Sequence, residues 1–206
     1  MRIVVLGATG ATGRHVVRHA LDRGHDVIAL ARDPETLSGL RAARLEVRKA
    51  DVHTPVSVVD AAADADGVIS ALGFSRGGPR NTLSTGARAV ADAKRPRVVW
   101  LGSFGVGASR RFSSGLHERI QRLVLGADGY DDKILADSII EGPDVTIVHP
   151  VSLTNGPLTE ARVVPLETLD RRWRVMPPSI SRAAVAAAMV SELENPAHAG
   201  RTVAVF

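Results

Sequence analysis

Short apolar runs alternate along the chain with longer stretches in which apolar residues recur at helical spacing. The runs are rich in β-branched residues and lack polar alternation, which is typical of strands buried on both faces. They fall at residues 3–6, 27–30, 45–47, 67–70, 98–101, 145–148 and 202–206. This alternation predicts βαβ units and an α/β fold, a Rossmann-like, doubly wound parallel sheet with helices on both faces.

The stretches between the apolar runs carry start and stop signals for helices. Residues 13–23 end before Gly24, which stands where a C-cap glycine belongs. Asp33-Pro34 and Thr54-Pro55 each join a capping side chain to a proline at the first helical position, so each predicts a helix start. Further helices are predicted over residues 80–94, 130–141 and 181–193.

The pattern loosens between residues 150 and 178, where five prolines occur without a clear period. We expect this stretch to form a small irregular lobe. Trp173 within it either lines a substrate pocket or covers the lobe. A length of 206 residues fits one domain, so residues 1–206 are predicted to form a single domain in which residues 150–180 make the lobe.

Composition excludes several classes of site and partner. The chain has no cysteine, which excludes disulfides, a thiol nucleophile and thiolate metal sites. Its isoelectric point near 10.3 comes from arginine, whereas the net charge is only +4 and aromatic residues make up 3%. No apolar run approaches the roughly 18 residues of a membrane span. We expect a soluble, cytoplasmic protein, monomeric or homodimeric, that binds neither nucleic acid nor a membrane.

Three glycines follow the first predicted strand directly and open the first predicted helix. Gly7, Gly10 and Gly13 have the spacing GxxGxxG, in the strand–loop–helix context that a dinucleotide-binding loop requires. The first allows a tight turn, the second lets the backbone approach a pyrophosphate, and the third lets the helix lie close to the strand. The helix N-terminus offers N–H groups to the phosphates, and Thr9 and Thr12 can add hydroxyl donors. The loop predicts a nicotinamide dinucleotide as cofactor.

The end of the second strand indicates which dinucleotide binds. Arg32 stands where NAD-dependent enzymes place an acidic residue on the ribose 2′-hydroxyl, and a guanidinium there suits a 2′-phosphate. Asp33 could serve as the NAD-type acid, but its place before Pro34 favours a capping role. Arg14 is a second side chain that can reach the phosphate. We therefore predict NADP(H) as the cofactor.

The remaining strand ends should line the same crevice, because ligands of open α/β sheets bind outside the carboxyl ends of the strands. Asp51 follows the third strand and is either a cofactor contact or a turn former. The residues after the fourth strand have no reactive side chains, and we expect their backbone to form a wall close beside the cofactor. These wall residues are Ala71, Leu72 and Gly73, and after the fifth strand come Ser103 and Phe104.

Several motifs along the chain combine into a family pattern. They are Gly7-Ala8-Thr9-Gly10-Ala11-Thr12-Gly13, Ala31-Arg32-Asp33-Pro34, Ala50-Asp51-Val52, Ser103-Phe104-Gly105-Val106-Gly107, Asp132-Lys133, Thr146-Ile147-Val148-His149-Pro150, Leu153-Thr154-Asn155-Gly156-Pro157-Leu158-Thr159 and Ile180-Ser181-Arg182. With them the chain resembles the atypical short-chain dehydrogenase/reductase proteins, in the NmrA-like NAD(P)H-binding group that includes biliverdin reductase B (flavin reductase). The resemblance covers nearly the whole chain. It implies one NAD(P)-binding domain whose small C-terminal lobe roofs the nicotinamide on the substrate side.

The resemblance also implies which residues hold the cofactor. With the residues chosen from the strand ends, the predicted cofactor-binding set is Gly7, Thr9, Gly10, Ala11, Thr12, Gly13, Arg32, Asp51, Ala71, Leu72, Gly73, Ser103, Pro150 and Val151. The predicted substrate-binding set is Phe104, His149, Ser152 and Leu153.

The chain departs from the superfamily at its acid–base pair. Ordinary members use Tyr-x-x-x-Lys, and here Lys133 matches the lysine while Gly129 occupies the tyrosine position. Tyr130 lies three residues before Lys133, which still shares roughly one helix face. The candidate catalytic residues are therefore Ser103, Lys133 and Tyr130. His149 stands where many relatives carry arginine.

No catalytic or metal-binding role is predicted for three other histidines. His15 and His19 lie four residues apart but lack a third ligand, so no metal site is predicted. His117 and Glu118 fall in a predicted helix and are expected at the surface.

Two functions of different class remain. The first is an NADPH-dependent oxidoreductase that transfers hydride to a planar small-molecule acceptor of the flavin, quinone or enone/carbonyl type. The second is a non-catalytic NADP(H)-binding redox sensor of the NmrA type, which the altered tyrosine position favours.

Overall fold

A mostly parallel sheet runs through the computed structural model, which describes residues 1–63, 65–74, 78–93, 97–170 and 178–206. Its strands within these ranges are β1 (Arg2–Leu6), β2 (Asp26–Ala31), β3 (Leu45–Lys49), β4 (Gly67–Ser70), β5 (Val98–Leu101), β6 (Val145–Pro150), β8 (Val163–Pro165) and β10 (Arg201–Val205). They are arranged in the order β3-β2-β1-β4-β5-β6-β10-β8, and β8 alone among these eight described strands runs antiparallel to its neighbour. The predicted Rossmann-like sheet is confirmed.

Helices cover both faces of the sheet. They are α1 (Ala11–Asp22), α2 (Pro55–Ala63), α3 (Thr82–Asp92), α4 (Gly115–Ile140) and α5 (Arg182–Glu194). Helices α1 and α5 pack together on one face, and α2, α3 and α4 pack on the other. The two faces alternate along β1, where Ile3 and Val5 join the core under α1 and α5, while Val4 and Leu6 join the other. Because both faces are buried, the strands show no polar alternation.

Local signals explain several helix starts. The Ser181 hydroxyl accepts a hydrogen bond from the Ala184 N–H at 3.0 Å and so caps α5, close to the predicted helix start. Asp33 also caps, accepting from the Glu35 N–H at 3.2 Å, but the element it starts is a short 3₁₀ helix (Pro34–Leu37). The expectation of a full helix after Asp33 is thus corrected. The N-terminus of α3 is held from a distance, because the carboxylate of Asp132 on α4 accepts from the N–H groups of Leu83 and Ser84.

The predicted helix over residues 130–141 is only the second part of a longer helix. Helix α4 runs from Gly115 to Ile140 and is interrupted at Gly126, whose φ of 74° and ψ of 162° are not helical. That backbone region is almost restricted to glycine. The first part of α4 is largely exposed, and its apolar residues do not form a single buried stripe. The sequence therefore lacks the periodic signal that would extend the predicted helix to Gly115.

The lobe is more regular than the sequence indicates. Within the described part of residues 150–180, β8 adds an edge strand to the main sheet, while β7 (Ser152–Thr154) pairs in parallel with β9 (Ser179–Ser181). Each of these strands has only three residues, too few for a periodic pattern. Trp173, whose two interpretations were left open, and Lys94, at the end of the predicted third helix, lie outside the described residues.

No helix in the described ranges is both long and apolar enough to cross a bilayer.

Residues from the N-terminal part of the chain and from the end of α5 meet in a hydrogen-bonded cluster around the Glu194 carboxylate. Glu194, at the end of α5, accepts hydrogen bonds from the Arg23 guanidinium at 2.8 and 2.6 Å and lies 2.7 Å from His25 Nε2. His25 Nδ1 lies 3.4 Å from the amino group of Met1. The hydrogen bonds from Arg23, and after them the bond to His25, hold the pKa of Glu194 below its ordinary value, although burial opposes this shift.

We expect Glu194→Gln to lower the free energy of unfolding by about 1–2 kcal/mol at pH 7, because it weakens charge-assisted hydrogen bonds. The folded pKa lies below the unfolded one, so the stabilisation is present above the unfolded glutamate pKa of about 4.3 and is lost as pH falls through the folded value. Urea unfolding of both proteins from pH 7 to pH 3 should therefore converge at the acid end. Glu160→Gln, at an exposed carboxylate, is the matched control. An E194Q deficit that does not shrink as pH falls below the unfolded glutamate pKa would contradict the assignment.

Candidate functional site

A cavity of about 640 Å³ opens at the carboxyl ends of the strands, and residues after β1, β2, β3, β4, β5 and β6 line it. The strand order reverses between β1 and β4, because β2 and β3 extend the sheet to one side and β5 and β6 to the other. At such a switch point the two flanking loops separate and leave a crevice.

The glycine loop forms one wall of this cavity. Gly7 has a φ of +70°, and a Cβ there would lie 2.5 Å from the Ala71 carbonyl oxygen. A Cβ at Gly13 would overlap the Gly7 carbonyl oxygen and lie 2.7 Å from its carbon. Gly10 donates to that same oxygen at 2.9 Å and precedes α1. The first and third glycines thus allow close packing of loop, helix and β4, as the spacing predicts.

The loop also leaves the start of α1 suited to an anion. Gly10 is the N-cap residue, and it has no side chain that could cap this helix end. The first N–H groups of a helix without such a cap need another acceptor, and a phosphate can provide it. Gly10, Ala11 and Thr12 line the cavity at this point. The residues present therefore fit a pyrophosphate.

Most of the predicted cofactor contacts lie in the cavity wall. Those that line it are Gly7, Thr9, Gly10, Ala11, Thr12, Arg32, Asp51, Ala71, Leu72, Gly73, Ser103, Pro150 and Val151. Gly13 lies beneath the loop instead, against the Gly7 carbonyl group. The sequence therefore placed Gly13 in the motif correctly, but its role in the structure is packing.

Two charged side chains, Arg32 and Asp51, lie at the cavity wall where β2 and β3 end. Arg32 is exposed at the cavity wall beside the Asp33 cap. Asp51 Oδ1 accepts from the His53 N–H at 3.0 Å, so it forms a turn and lines the cavity at the same time. Arg14 donates to the carbonyl oxygens of Thr9 and Thr36 at 3.1 and 2.8 Å. This guanidinium ties the glycine loop to the turn after Arg32.

The opposite end of the cavity is built by the loop after β5 and by α4. Ser103 is half-buried there, and Gln121 Nε2 donates to the Phe104 carbonyl oxygen at 2.7 Å and to Ser103 Oγ at 3.5 Å. The Oε1 atom of Gln121 is buried and has no hydrogen-bond partner in the described structure. A molecule in the cavity with an N–H or O–H group would satisfy it. The Phe104 side chain itself is buried in the core.

Lys133 lines the same end of the cavity. Its Nζ atom lies 5.6 Å from the centroid of the Phe74 ring, and no hydrogen bond or ion pair holds it within the described residues. Burial lowers the pKa of the Lys133 ammonium, and the negative charges of Asp137 and Asp132 partly oppose that shift. The ammonium is thus oriented mainly by packing and is available to a bound molecule.

Tyr130 does not reach the cavity. Its side chain is fully buried, its hydroxyl donates to the Gly105 carbonyl oxygen at 3.3 Å, and the Arg122 guanidinium lies 4.1 Å from the ring centroid. Burial raises the pKa of this phenol. The predicted shifted pair with Lys133 is therefore not formed, because the buried tyrosine hydroxyl is bound to the loop after β5.

His149 also lies away from the cavity, which corrects its predicted substrate contact. It is fully buried, with Nδ1 2.7 Å from Ser109 Oγ and Nε2 3.0 Å from Asp137 Oδ2. A Cβ at Gly102 would lie 2.5 Å from its ring. The other predicted substrate residues, Phe104, Ser152 and Leu153, do line the cavity.

The cavity wall includes side chains that sequence reasoning missed. They are His53, Phe74, Thr82, His117, Gln121, Leu125 and Arg182. Of these, His117 was expected at the surface and is instead buried. The 117, 121 and 125 positions recur every four residues on α4, so one face of this helix meets the cavity. The described residues contain no group of three or more His, Asp or Glu side chains placed to hold a metal ion.

Comparison with known proteins identifies a family that fits this geometry. The family model described as NAD(P)H-binding matches residues 7–196 of the chain. Among curated proteins, the isoflavone reductase homolog IRL of Zea mays is 33% identical over 102 residues, which cover 46% of this chain and 33% of that protein. The chain thus matches about a third of the length of this relative.

Solved structures share the fold along the whole chain. ChuY, an anaerobillin reductase from Escherichia coli O157:H7, has a TM-score of 0.78 at 22% identity and covers 100% of this chain and 97% of its own. A short-chain dehydrogenase/reductase from Veillonella parvula in complex with NADP has a TM-score of 0.76 at 17% identity, with coverage of 99% and 93%. At these identities the likeness is one of fold.

Proposed function

The chain belongs to the NAD(P)H-binding family, and from that premise we propose that it is an NADPH-dependent oxidoreductase whose acceptor is a planar small molecule. The observation that carries the proposal is one continuous cavity. The glycine loop and the uncapped start of α1 lie at one end of it, and Ser103, Gln121 and Lys133 lie at the other. A dinucleotide held at the first end would extend toward the second.

In this proposal the first end of the cavity binds the cofactor. The backbone at Gly10, Ala11 and Thr12 holds the pyrophosphate against the start of α1. The Arg32 guanidinium pairs with a 2′-phosphate, which is the basis for naming NADP(H) rather than NAD(H). The backbone wall after β4, at Ala71 and Leu72, lies beside the nicotinamide ribose. The NADP complex of the Veillonella protein supports this choice by likeness of fold only.

The second end of the cavity positions the acceptor. A bound dihydronicotinamide supplies two electrons and a hydrogen to a carbon or nitrogen of an adjacent planar ring. Ser103 donates a hydrogen bond to the acceptor or to the nicotinamide carboxamide, and Lys133 holds the ribose or the acceptor by charge. The lobe at Ser152 and Leu153 excludes water from the reacting atoms. A flavin, a quinone or an enone-like carbonyl compound fits this description, and the reductase names of the maize and E. coli relatives support the reaction class.

The second candidate function is a non-catalytic NADP(H) sensor. The observation in its favour is that Tyr130 is buried away from the cavity, so the acid–base pair of ordinary short-chain reductases is not assembled. A sensor would bind the dinucleotide tightly and turn over no acceptor.

One assay separates the two candidates. Consumption of NADPH and NADH by the purified protein should be followed with FMN, menadione, biliverdin and 2-cyclohexenone, while cofactor binding is measured by fluorescence in the same samples. Turnover with any acceptor, faster with NADPH, is the expected result. Tight NADPH binding without turnover would replace the reductase by the sensor, and no binding of either dinucleotide would overturn both.

The catalytic assignments have their own test. We expect Ser103→Ala and Lys133→Met each to lower kcat/KM about tenfold, which corresponds to the loss of one hydrogen bond or charge contact of about 1–1.5 kcal/mol. Steady-state kinetics with NADPH and the best acceptor measure the effect. Ser138→Ala, at an exposed serine on α4, and Lys49→Met, at an exposed lysine on β3, are the matched controls. Full turnover in both cavity variants would remove these roles.

A further inference from the structure

A buried imidazole stands at the acceptor end of the cavity and has no part in the function proposed so far. His117 lies in the first turn of α4, is 5% exposed and lines the same cavity as Ser103 and Lys133. Its Nδ1 atom lies 2.6 Å from Ser113 Oγ in a hydrogen bond. Within the described residues no hydrogen bond engages its Nε2 atom, so this nitrogen is available to a molecule in the cavity.

The ring is fixed against the loop that carries Ser103. A Cβ at Gly105 would lie 2.9 Å from His117 Nδ1 and 3.0 Å from its Cε1, so only glycine allows the ring to approach the loop this closely. One turn along α4, Gln121 donates to the Phe104 carbonyl oxygen at 2.7 Å. Since α4 is tied to the loop at both points, His117 and Ser103 reach the same end of the cavity. The imidazole is held in place before any molecule binds.

We propose that His117 is the proton donor to the acceptor, acting from Nε2 while Ser113 holds Nδ1. The inference rests on the proposed reductase function. In the step, the acceptor gains a hydride from the reduced nicotinamide and a proton from Nε2 of the imidazolium, which completes a two-electron reduction and leaves NADP⁺. The neutral imidazole keeps its Nδ1–H bond to Ser113 Oγ, and a proton from solvent restores the imidazolium. This arrangement supplies the acid that Tyr130, buried elsewhere, does not.

The electrostatic surroundings of His117 set the expected pH dependence. Burial lowers the pKa of the imidazole. Glu118, the neighbouring carboxylate, is paired with Arg110 and Arg122 at 2.9 and 3.4 Å. Lys133 lines the same cavity, and the Asp137–His149 pair contacts the same loop at Gly102. Because the imidazolium is the acid, turnover should fall as pH rises through the His117 pKa.

The test compares His117→Ala with wild type on the acceptor panel named above. We expect kcat to fall about 100-fold, the lower end of what general acid catalysis contributes. NADPH affinity measured by fluorescence should stay unchanged, added imidazole should restore part of the turnover, and the fall of rate with rising pH should disappear. Ser113→Ala, at a positioning residue, should shift the pH profile of kcat without abolishing turnover. His15→Ala, at a helix histidine outside the cavity, is the control.

A second readout does not depend on turnover. The ring signals of His117 in the NMR spectrum, assigned by their loss in the H117A variant, should shift when FMN, menadione, biliverdin or 2-cyclohexenone is added to wild type. Unshifted signals with an acceptor that supports turnover, or wild-type kcat in H117A, would overturn the inference and leave the reductase intact. Absence of turnover by wild type, with NADPH binding retained, would overturn the proposed function and this inference together.

Discussion

Gly13→Ala should destabilise the protein by about 3 kcal/mol or more and abolish NADPH binding, because overpacking of backbone against backbone cannot be relieved by a rotamer change. The added Cβ would overlap the Gly7 carbonyl oxygen and lie 2.7 Å from the carbonyl carbon. Relief requires α1 to move away from the glycine loop. That movement would displace the first N–H groups of α1, at Ala11 and Thr12, which line the cavity. Urea unfolding and NADPH fluorescence titration measure the two effects.

Alanine substitutions at two further glycines serve as comparisons for Gly13→Ala. At Gly39 an added Cβ meets nothing within 4 Å, so Gly39→Ala should change stability by no more than about 0.5 kcal/mol. At Gly10 the added Cβ meets the Gly7 oxygen at 3.2 Å, a contact that a small shift relieves. The Gly10→Ala protein should therefore fold. It should nevertheless bind NADPH more weakly than wild type does, since the methyl group occupies the approach to the start of α1. A Gly13→Ala protein as stable as Gly39→Ala would refute the packing argument.

Arg32→Asp should weaken NADPH binding about 100-fold and change NADH binding little. A charge-assisted hydrogen bond contributes about 1.5–3 kcal/mol, and the aspartate adds repulsion to the loss. The exposed position of Arg32 makes the effect sensitive to salt, so the titrations belong at low ionic strength. NADH lacks the 2′-phosphate and should serve as the internal comparison.

Arg41→Asp separates a local effect from the change in net charge. Arg41 is exposed and does not line the cavity, yet the substitution alters the charge of the protein equally. We expect both dinucleotides to bind this variant almost as they bind wild type. Equal losses for NADPH and NADH in Arg32→Asp, or equal affinities of wild type for the two, would remove Arg32 as the selector.

The sequence predicted the cofactor end of the site because its determinants are local. Each of its two motifs lies within a single turn or loop. One is the glycine spacing at Gly7, Gly10 and Gly13, and the other is the adjacent pair Arg32-Asp33. The sheet was equally predictable, since strands buried on both faces are short apolar runs that stand out from their surroundings. The small strands of the lobe were not, because three residues show no period.

The acceptor end depends on contacts between distant parts of the chain, which no local pattern records. His149 is bound to Ser109 and Asp137, residues 40 and 12 positions away, and these bonds turn it from the cavity. His117 appears polar and exposed in the sequence, yet the close approach of Gly105 buries it. The signal that could have found it is its spacing of four residues from Gln121, together with the glycine in Ser103-Phe104-Gly105.

The interruption of α4 at Gly126 separates most of the helix's contribution to the cavity wall from the buried carboxylates that anchor its second part. Residues 115–125 contribute His117, Gln121 and Leu125 to the wall, whereas the part after Gly126 carries Asp132, which holds α3, and Asp137, which is bound to His149 on β6. A backbone shape open only to glycine lets the first part take its own direction. Substitutions there can accumulate without disturbing the anchors of the second part. A change of acceptor can therefore be met by other side chains of residues 115–125, such as Leu125, without a change in how the dinucleotide is held.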